Sequence, residues 1–241
     1  MPVYLLTEDL AFPPPEGASP DGIVAVGGDV SPERLVLAYS QGIFPWPVEG
    51  YPLLWFCPDP RFVLPMDELH VGRSLRKAIR RAPFELRFDT AFAEVMAACA
   101  KVPRPGQSGT WITPELEAGF TALHRMGYAH SVEAYDAEGA LVGGLYGVSL
   151  GRAFFGESMF ALRPDASKIA FATLGAQLRR WGFYFIDAQV HTPHLQRFGA
   201  RDMDRGEFLT RLEDALAFAP RRGTWELELG AEDVVEALRD A

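Results

Sequence analysis

Apolar residues recur three and four positions apart in several stretches of the chain, the spacing that places them on one face of an α-helix. Residues that cap helices stand at the edges of these stretches, with proline at the first position of some and glycine after the last. Three of the predicted helices have recognisable ends: one begins at Pro32 after the N-cap Ser31 and ends before Gly42, one has Asp89 or Thr90 as its N-cap and continues through Cys99, and one begins at Pro114 after Thr113 and ends before Gly127. The pattern also predicts helices over 71–82, 165–181 and 206–217, near 193–198 and at the C-terminus.

Apolar runs between these helices predict β-strands. They occupy 129–135, 140–149 and 152–160, and Asp136–Gly139 between the first two resembles a hairpin turn. We expect these three strands to form an antiparallel core. Phe183–Ile186 is apolar throughout, as a buried central strand would be. Helices and strands in this order predict an α+β fold.

Proline is frequent in the first sixty residues, in contrast to the rest of the chain. Because proline fixes φ and has no N–H to donate, this stretch predicts turns and short elements. We therefore divide the chain into a small N-terminal lobe, residues 1–62, and a main domain, residues 63–241. Within the main domain, residues 101–109 contain two prolines and two glycines and are predicted to form a loop.

The composition of the 241 residues limits the class of protein. Hydrophobic residues make up 48% and charged residues 23%, as in an ordinary globular protein. No apolar run is long enough to cross a bilayer or to serve as a signal peptide, and Cys57 and Cys99 cannot form a disulfide framework. These features predict a cytoplasmic protein with no membrane partner. The net charge of −9 argues against a general nucleic-acid binder, so any contact with RNA must be local.

Three polar side chains stand in or next to predicted strands. Strand alternation sends Asp187 and Gln189 to the same side, so we expect them to converge on one site. The alternative is that they cap the next helix. Glu157 lies between Gly156 and Ser158 in a segment that is not a nucleophile elbow. It is either a functional acid or a structural hydrogen-bonding group.

Two other patterns do not predict a cofactor. His191 and His194 lie three residues apart, but no cysteine or second histidine pair stands at zinc spacing, so we expect no metal. Gly143, Gly144 and Gly147 match neither the dinucleotide-binding motif nor a P-loop. These glycines should instead let a backbone or a ligand approach closely, or form a bulge.

The predicted helix over 71–82 carries one continuous basic face, opposite its apolar face. In an acidic protein this face is a candidate track for RNA phosphates, and the alternative is a solvated helix surface. Its members are Arg73, Arg76, Lys77, Arg80 and Arg81.

Three tryptophans lie in turn-rich rather than periodic segments: Trp46, Trp55 and Trp111. Exposed aromatic rings can stack on a nucleic-acid base. Most tryptophans instead anchor a hydrophobic core. The sequence leaves both roles open for these three.

Short motifs along nearly the whole chain resemble those of the leucyl/phenylalanyl-tRNA–protein transferase family. Together, in this order and at this spacing, they are highly specific, although no single one would be. The chain departs from the family at Phe56 and Cys57, where Trp-Ser usually follows Trp55, and at Ala161, where serine is common. The motifs are FPPPEGA (12–18), GGDVSPERLVLAY (27–39), GIFPW (42–46), PDPR (58–61), GTWIT (109–113), AHSVE (129–133), LVGGLYG (141–147), GESMF (156–160), ASK (166–168), IDAQ (186–189) and FGA (198–200).

The resemblance implies a small N-terminal lobe on a GNAT-type acyltransferase domain. It implies transfer of Leu, Phe and, less so, Met from aminoacyl-tRNA to proteins that begin with Arg or Lys, which marks them for N-degron-dependent degradation, without a metal or organic cofactor. Asp187 and Gln189 would be the catalytic pair, and Glu157 would help to hold the acceptor. By the same resemblance, the donor side-chain pocket comprises Leu145, Phe154, Met159, Leu174, Leu178 and Ile186, the 3′ adenosine lies by Trp46 and Trp111, and the acceptor stem lies along Arg76, Lys77, Arg80 and Arg81.

The implied chemistry needs orientation more than strong base catalysis. The donor ester is already activated, and the α-amino nucleophile has a pKa of about 7.7–8, so a neutral fraction exists at pH 7. Our hypothesis is that Gln189 accepts from the attacking amine, while Asp187 fixes the Gln189 amide and increases its electron density. Two alternatives are a coenzyme-A-dependent N-acetyltransferase, whose pyrophosphate loop the sequence lacks, and a non-enzymatic RNA-binding module, which would leave Glu157 and the catalytic pair without a role.

Overall fold

Two β-sheets organise the chain, and the computed structural model describes residues 4–48, 50–101 and 110–239. The first sheet consists of β1 (Tyr4–Leu6), β2 (Ile23–Gly27), β3 (Phe44–Trp46) and β4 (Leu54–Phe56), in the order β1-β2-β4-β3. The second consists of β5 (Arg61–Pro65), β6 (Glu85–Phe88), β7 (Ala129–Tyr135), β8 (Leu141–Leu150), β9 (Ala153–Ala161), β10 (Phe185–Gln189) and β11 (Arg201–Met203), in the order β11-β5-β10-β9-β8-β7-β6. Its neighbours pair antiparallel except for β9 and β10, which are parallel.

Helices cover the second sheet and connect its strands, which confirms the predicted α+β class. They are α1 (Pro32–Ser40), α2 (Arg73–Arg80), α3 (Phe92–Lys101), α4 (Pro114–Arg125), α5 (Ala166–Arg180), α6 (Pro193–Gln196), α7 (Arg205–Leu216) and α8 (Ala231–Ala237). No helix in the described part of the chain is long and apolar enough to span a membrane.

Two of the predicted helix caps are confirmed. The Ser31 side chain accepts a hydrogen bond from the backbone N–H of Arg34, and the Thr113 side chain accepts one from Leu116. The third cap prediction is wrong. Asp89 adopts a left-handed conformation (φ 57°), and its carboxylate accepts from backbone N–H groups on other elements. Thr90 donates its hydroxyl to a glutamate of β7. Because α3 begins only at Phe92, neither residue stands at its N-cap position.

The antiparallel core β7-β8-β9 lies within one residue of its predicted positions. The next strand does not, because β10 begins at Phe185 and continues through Gln189, two residues later than predicted at its start. The turn after α5, at Gly182, leaves Phe183 and Tyr184 outside the ladder. Asp187 and Gln189, which follow the predicted strand 183–186, are therefore part of β10. Strands β5, β6 and β11 were not predicted. The predicted loop at 101–109 begins one residue too early, because Lys101 is the last residue of α3, and the rest of that loop lies outside the described residues.

Both faces of the second sheet are covered, and β9 shows how. Phe155 packs at 5.1 Å between ring centroids against Tyr39 of α1, in a core that includes the N-terminal elements. Its neighbour Phe154 belongs to the opposite core with α5. A Cβ on Gly143 of β8 would lie 2.5 Å from the Ala166 methyl of α5, which confirms the close approach expected of these glycines. Strand β5, residues 61–65, pairs in the second sheet, and the lobe division at residue 62 stays a prediction.

Candidate active site

A cavity of about 540 Å³ opens where β9 and β10 stop pairing. The last paired residues are Phe155 and Asp187, and beyond them the two strands separate. The first turns of α5 and the segment around α6 complete the walls. The lining residues are Trp46, Trp111, Leu145, Tyr146, Phe154, Gly156, Glu157, Ser158, Met159, Ser167, Phe171, Ile186, Ala188, Gln189, Val190, His191, Thr192, His194 and Leu195.

Two backbone irregularities aim Glu157 and Gln189 at each other. The ladder between β8 and β9 pairs Tyr146 with Ser158 and then Gly147 with Gly156, so Glu157 is the extra residue of a β-bulge. A register shift follows Asp187 in β10, and Gln189 takes φ 64°, a conformation uncommon outside glycine. Regular alternation would not produce this arrangement. Bulges and left-handed residues recur beside active sites because they redirect side chains.

A hydrogen-bonded chain connects α1 to the cavity through Glu157. Its Oε1 accepts from the Tyr39 hydroxyl at 2.7 Å and from Nε2 of Gln189 at 2.6 Å. Burial raises the pKa of Glu157 to about 7, against the opposing effect of these two donors. The carboxyl group therefore changes its charge near neutral pH. Tyr39, from the N-terminal part of the chain, was not among the site residues predicted from sequence.

Asp187 lies behind the cavity and does not line it. Its carboxylate receives two hydrogen bonds from the Arg61 guanidinium, at 2.8 and 2.6 Å, and both side chains are fully buried. Burial alone would lower the pKa of Arg61, but the attraction of Asp187 outweighs this effect and raises it. The rings of Phe44 and Phe208 lie 4.6 and 4.5 Å from the guanidinium carbon. The pair is therefore buried behind the cavity wall rather than exposed in it.

The hypothesis that Asp187 holds the side-chain amide of Gln189 is wrong. Oδ1 of Asp187 accepts from the backbone N–H of Gln189 at 2.9 Å, and the amide Nε2 donates to Glu157 instead. The reason is the bulge, which turns the Gln189 side chain into the cavity and its N–H toward the buried carboxylate. Asp187 thus fixes the backbone of Gln189, and Glu157 fixes its side chain.

Four of the six apolar residues expected to form the donor pocket line the cavity, namely Leu145, Phe154, Met159 and Ile186. Leu174 and Leu178 do not, which corrects that expectation. Both are fully buried in the core beneath α5. At a rise of about 1.5 Å per residue, they lie one and two turns beyond Phe171, the last α5 residue that the cavity reaches.

Several cavity residues were not identified from sequence, and some carried a signal. Ser167 is the middle residue of the ASK motif, and Phe171 follows four residues later on the same face of α5. His191 and His194, at which we expected no metal, are part of the wall. Among the residues that the structure describes, no three His, Cys, Asp or Glu side chains lie close enough to hold a metal ion.

The tryptophans divide between the two roles left open. Trp46 and Trp111 stack at the cavity, with ring centroids 5.8 Å apart and planes inclined by 20°. Trp55 is fully buried, and its indole N–H donates to the carbonyl of Gly27. Trp55 therefore anchors the core, whereas the other two present aromatic faces beside the cavity.

The basic face lies on α2, whose Ile79 is buried on the opposite side. Lys77, Arg80 and Arg81 are exposed, and Arg76 is half-buried. Arg80 forms an ion pair of 3.3 Å with Glu232 of α8, so part of its charge is already neutralised. Of the four cations expected along the acceptor stem, Lys77 and Arg81 are therefore the most available to contact a phosphate.

Two family models and several relatives of nearly the same length match this chain. A family model described as leucyl/phenylalanyl-tRNA protein transferase matches residues 63–213, and the model of that family's N-terminal domain matches residues 28–59. A leucyl/phenylalanyl-tRNA–protein transferase of Myxococcus xanthus is 60% identical over 227 residues, 93% of this chain and 97% of its own. One of Nitratidesulfovibrio vulgaris is 55% identical over 228 residues, 94% of this chain and 97% of its own.

Solved structures show a more distant likeness. L-PGS from Bacillus licheniformis aligns at a TM-score of 0.38 with 12% identity, covering 67% of this chain and 51% of that one. A likeness at this level bears on neither fold nor function. The two family models and the near full-length relatives establish the family. On their evidence, the chain belongs to the leucyl/phenylalanyl-tRNA–protein transferase family of aminoacyltransferases.

Proposed function

We propose that this chain transfers leucine or phenylalanine, and less readily methionine, from aminoacyl-tRNA to the α-amino group of proteins that begin with Arg or Lys. The observation that carries the proposal is the Glu157–Gln189 contact at the edge of an apolar cavity, beside the stacked Trp46 and Trp111. An apolar side chain fits the cavity, an adenine fits the aromatic pair, and a peptide amine fits the polar edge. Family membership supports the reaction.

In this proposal Gln189 orients the attacking amine. Because its Nε2 donates to Glu157, its Oε1 is the end that can accept a hydrogen bond from the nucleophile. The neutral amine attacks the ester carbonyl and the C–N bond forms. The tetrahedral intermediate then collapses as the ester C–O bond breaks, and the proton that the nitrogen loses ends on the leaving ribose oxygen. Asp187 acts at a distance by holding the Gln189 backbone. In this mechanism the protein supplies orientation, which is worth several kcal/mol.

Glu157 has a second role in the proposal, toward the acceptor. An acceptor that begins with Arg or Lys brings a cationic side chain beside its α-amino group, and an ionised carboxylate favours it. We also infer the GNAT-type fold for residues 63–241 and a cytoplasmic location from the family resemblance. The mixed second sheet is compatible with the first of these inferences.

The assay that tests the function incubates the protein with radiolabelled leucyl-tRNA and two peptides that differ only in their first residue, arginine or glutamate. We expect label on the arginine peptide and little on the other. A parallel incubation with labelled acetyl-coenzyme A tests the acetyltransferase alternative. Transfer from acetyl-coenzyme A without transfer from leucyl-tRNA would contradict the proposal.

Donor selection should follow the volume of the apolar cavity. Met159→Ala removes side-chain volume from its wall, so we expect phenylalanine to gain on leucine by about tenfold, since a methylene is worth about 1–3 kcal/mol in such a pocket. The ratio of kcat/KM values for the two aminoacyl-tRNAs measures this. The matched control is Leu174→Val, which alters the core below but not the lining. Equal donor ratios in Met159→Ala and wild type would place the pocket elsewhere.

The pH dependence should report the hydrogen bond from Tyr39 to Glu157. Below its pKa, Glu157 is neutral and binds both the Gln189 amide and a cationic acceptor less strongly. Activity should therefore fall as the pH drops through about 7. Tyr39→Phe removes a donor that favours the carboxylate, which raises the pKa of Glu157 and moves this limb of the kcat/KM profile up by about half a unit. Tyr135→Phe is the control. Coincident limbs for all three proteins would exclude Glu157 as the titrating group.

The basic face should contribute to RNA binding without reading sequence. The double variant Lys77→Ala with Arg81→Ala should weaken binding of a non-hydrolysable leucyl-tRNA analogue and lower its log–log salt slope by about one unit per lost phosphate contact. Folding should survive, since both side chains are exposed. Arg87→Ala, on β6, removes a cation elsewhere as the control. Superimposable slopes would mean that α2 presents only a solvated surface.

A further inference from the structure

A second cavity, of about 240 Å³, adjoins the donor cavity, and the two share His194. One wall is the first turn of α2, and the others come from the start of α5 and from the segment around α6. Its lining comprises Val71, Gly72, Ser74, Leu75, Asp165, Lys168, His194, Arg197 and Phe198. The second cavity therefore lies between the donor cavity and the helix that carries the basic face.

The second cavity is built around cationic groups. Asp165 precedes α5 but makes no capping hydrogen bond, and it adopts a left-handed conformation, φ 65°. Its carboxylate instead accepts from Nζ of Lys168 at 2.6 Å, which holds the ammonium group at the cavity. Arg197 is exposed and has no ion-pair partner among the described residues. Two cations face one carboxylate, so the lining carries a net positive charge.

His194 adds a neutral polar group at the junction of the two cavities. Burial, together with Lys168 and Arg197, lowers its pKa, so the imidazole is uncharged at neutral pH. Its Nε2 is buried and makes no hydrogen bond to any described residue. The hydroxyl of Ser74 lines the opposite wall. A ligand here would meet two cations and two neutral hydrogen-bonding groups, a set suited to an oxyanion.

We propose that the second cavity binds the phosphodiester group that precedes the terminal adenosine of the donor RNA. This inference rests on the proposed function, which places that adenosine at the aromatic pair of the donor cavity. The chain of nucleotides would leave the donor cavity past His194, cross Lys168 and Arg197, and continue toward the basic face of α2. Contacts to phosphate carry no sequence information, so the base of the preceding nucleotide should not matter.

The test compares two non-hydrolysable donor analogues. One is an adenosine that carries leucine through a 3′ amide and has no phosphate, and the other adds a cytidine through one phosphodiester. The variants are Arg197→Gln, and Lys168→Gln combined with Asp165→Asn so that no carboxylate is left unpaired. Arg180→Gln, at the far end of α5, is the matched control. Binding is measured by calorimetry for each protein and analogue.

We expect wild type and Arg180→Gln to bind the dinucleotide analogue at least about tenfold more tightly than the nucleoside analogue, the scale of a charge-assisted hydrogen bond. Each second-cavity variant should lose most of this gain while it keeps its affinity for the nucleoside analogue. Equal affinities of wild type for the two analogues would overturn the proposal, as would a full gain in both variants or an equal loss for both analogues. Failure of wild type to bind either analogue would instead contradict the proposed function itself.

Discussion

Asp187→Ala should lower the free energy of unfolding by about 3–5 kcal/mol and lower turnover by at least about tenfold. The first effect follows from Arg61, whose guanidinium is fully buried and would lose both of its hydrogen bonds to a carboxylate. An uncompensated buried charge is among the most damaging single changes to a fold. The second effect follows from Gln189, whose backbone N–H would lose its acceptor. Urea unfolding and single-turnover transfer measure the two effects.

A paired substitution separates stability from function. Arg61→Met combined with Asp187→Leu replaces the ion pair with apolar side chains, a change that is often neutral or stabilising in other proteins. We expect it to recover most of the lost stability but not the lost turnover, since the Gln189 backbone still lacks its acceptor. Asp214→Ala on α7, an exposed carboxylate away from the cavity, is the control for a change of charge. A wild-type unfolding midpoint for Asp187→Ala would refute the stabilising role assigned to the pair.

Gln189→Asn should lower turnover by at least about tenfold while leaving aminoacyl-tRNA affinity nearly unchanged. Asparagine tolerates the left-handed backbone conformation that Gln189 adopts, so this change tests the position of the amide with little backbone strain. The shorter side chain can no longer reach both Glu157 and a nucleophile in the cavity. The loss should appear in the single-turnover rate at saturating donor and acceptor.

Gln196→Asn, at the end of α6, makes the same chemical change on an exposed side chain nearby and should keep the wild-type rate. Glu157→Gln tests the contact from its other side, because a glutamine oxygen can still accept from Tyr39 and Gln189 but carries no charge. We expect it to preserve donor binding and to lose preference for acceptors that begin with Arg or Lys. A Gln189→Asn enzyme with wild-type turnover would remove Gln189 from the mechanism.

The site shows where inference from a linear sequence reached its limit. Strand alternation singled out Asp187 and Gln189. It wrongly predicted that their side chains point to the same side of the strand. The bulges at Glu157 and Gln189 depend on how β8, β9, β10 and β5 pair, which no local pattern specifies. Arg61 contacts Asp187 from 126 positions away in the chain, and Tyr39 contacts Glu157 from 118 positions away.

Helix periodicity, the caps at Ser31 and Thr113, the antiparallel core over 129–161 and the family could all be predicted from the sequence, because they depend on residues close in the chain or on short motifs. Three features could be seen only in the folded chain: which polar groups pair, that Leu174 lies below the cavity rather than in its wall, and that Asp165 and Lys168 meet Arg197 at a second cavity. Such juxtapositions arise when distant segments pack together. Contacts between those segments are set by the register of the sheet and the packing of whole elements, and so they are encoded in no single stretch of sequence.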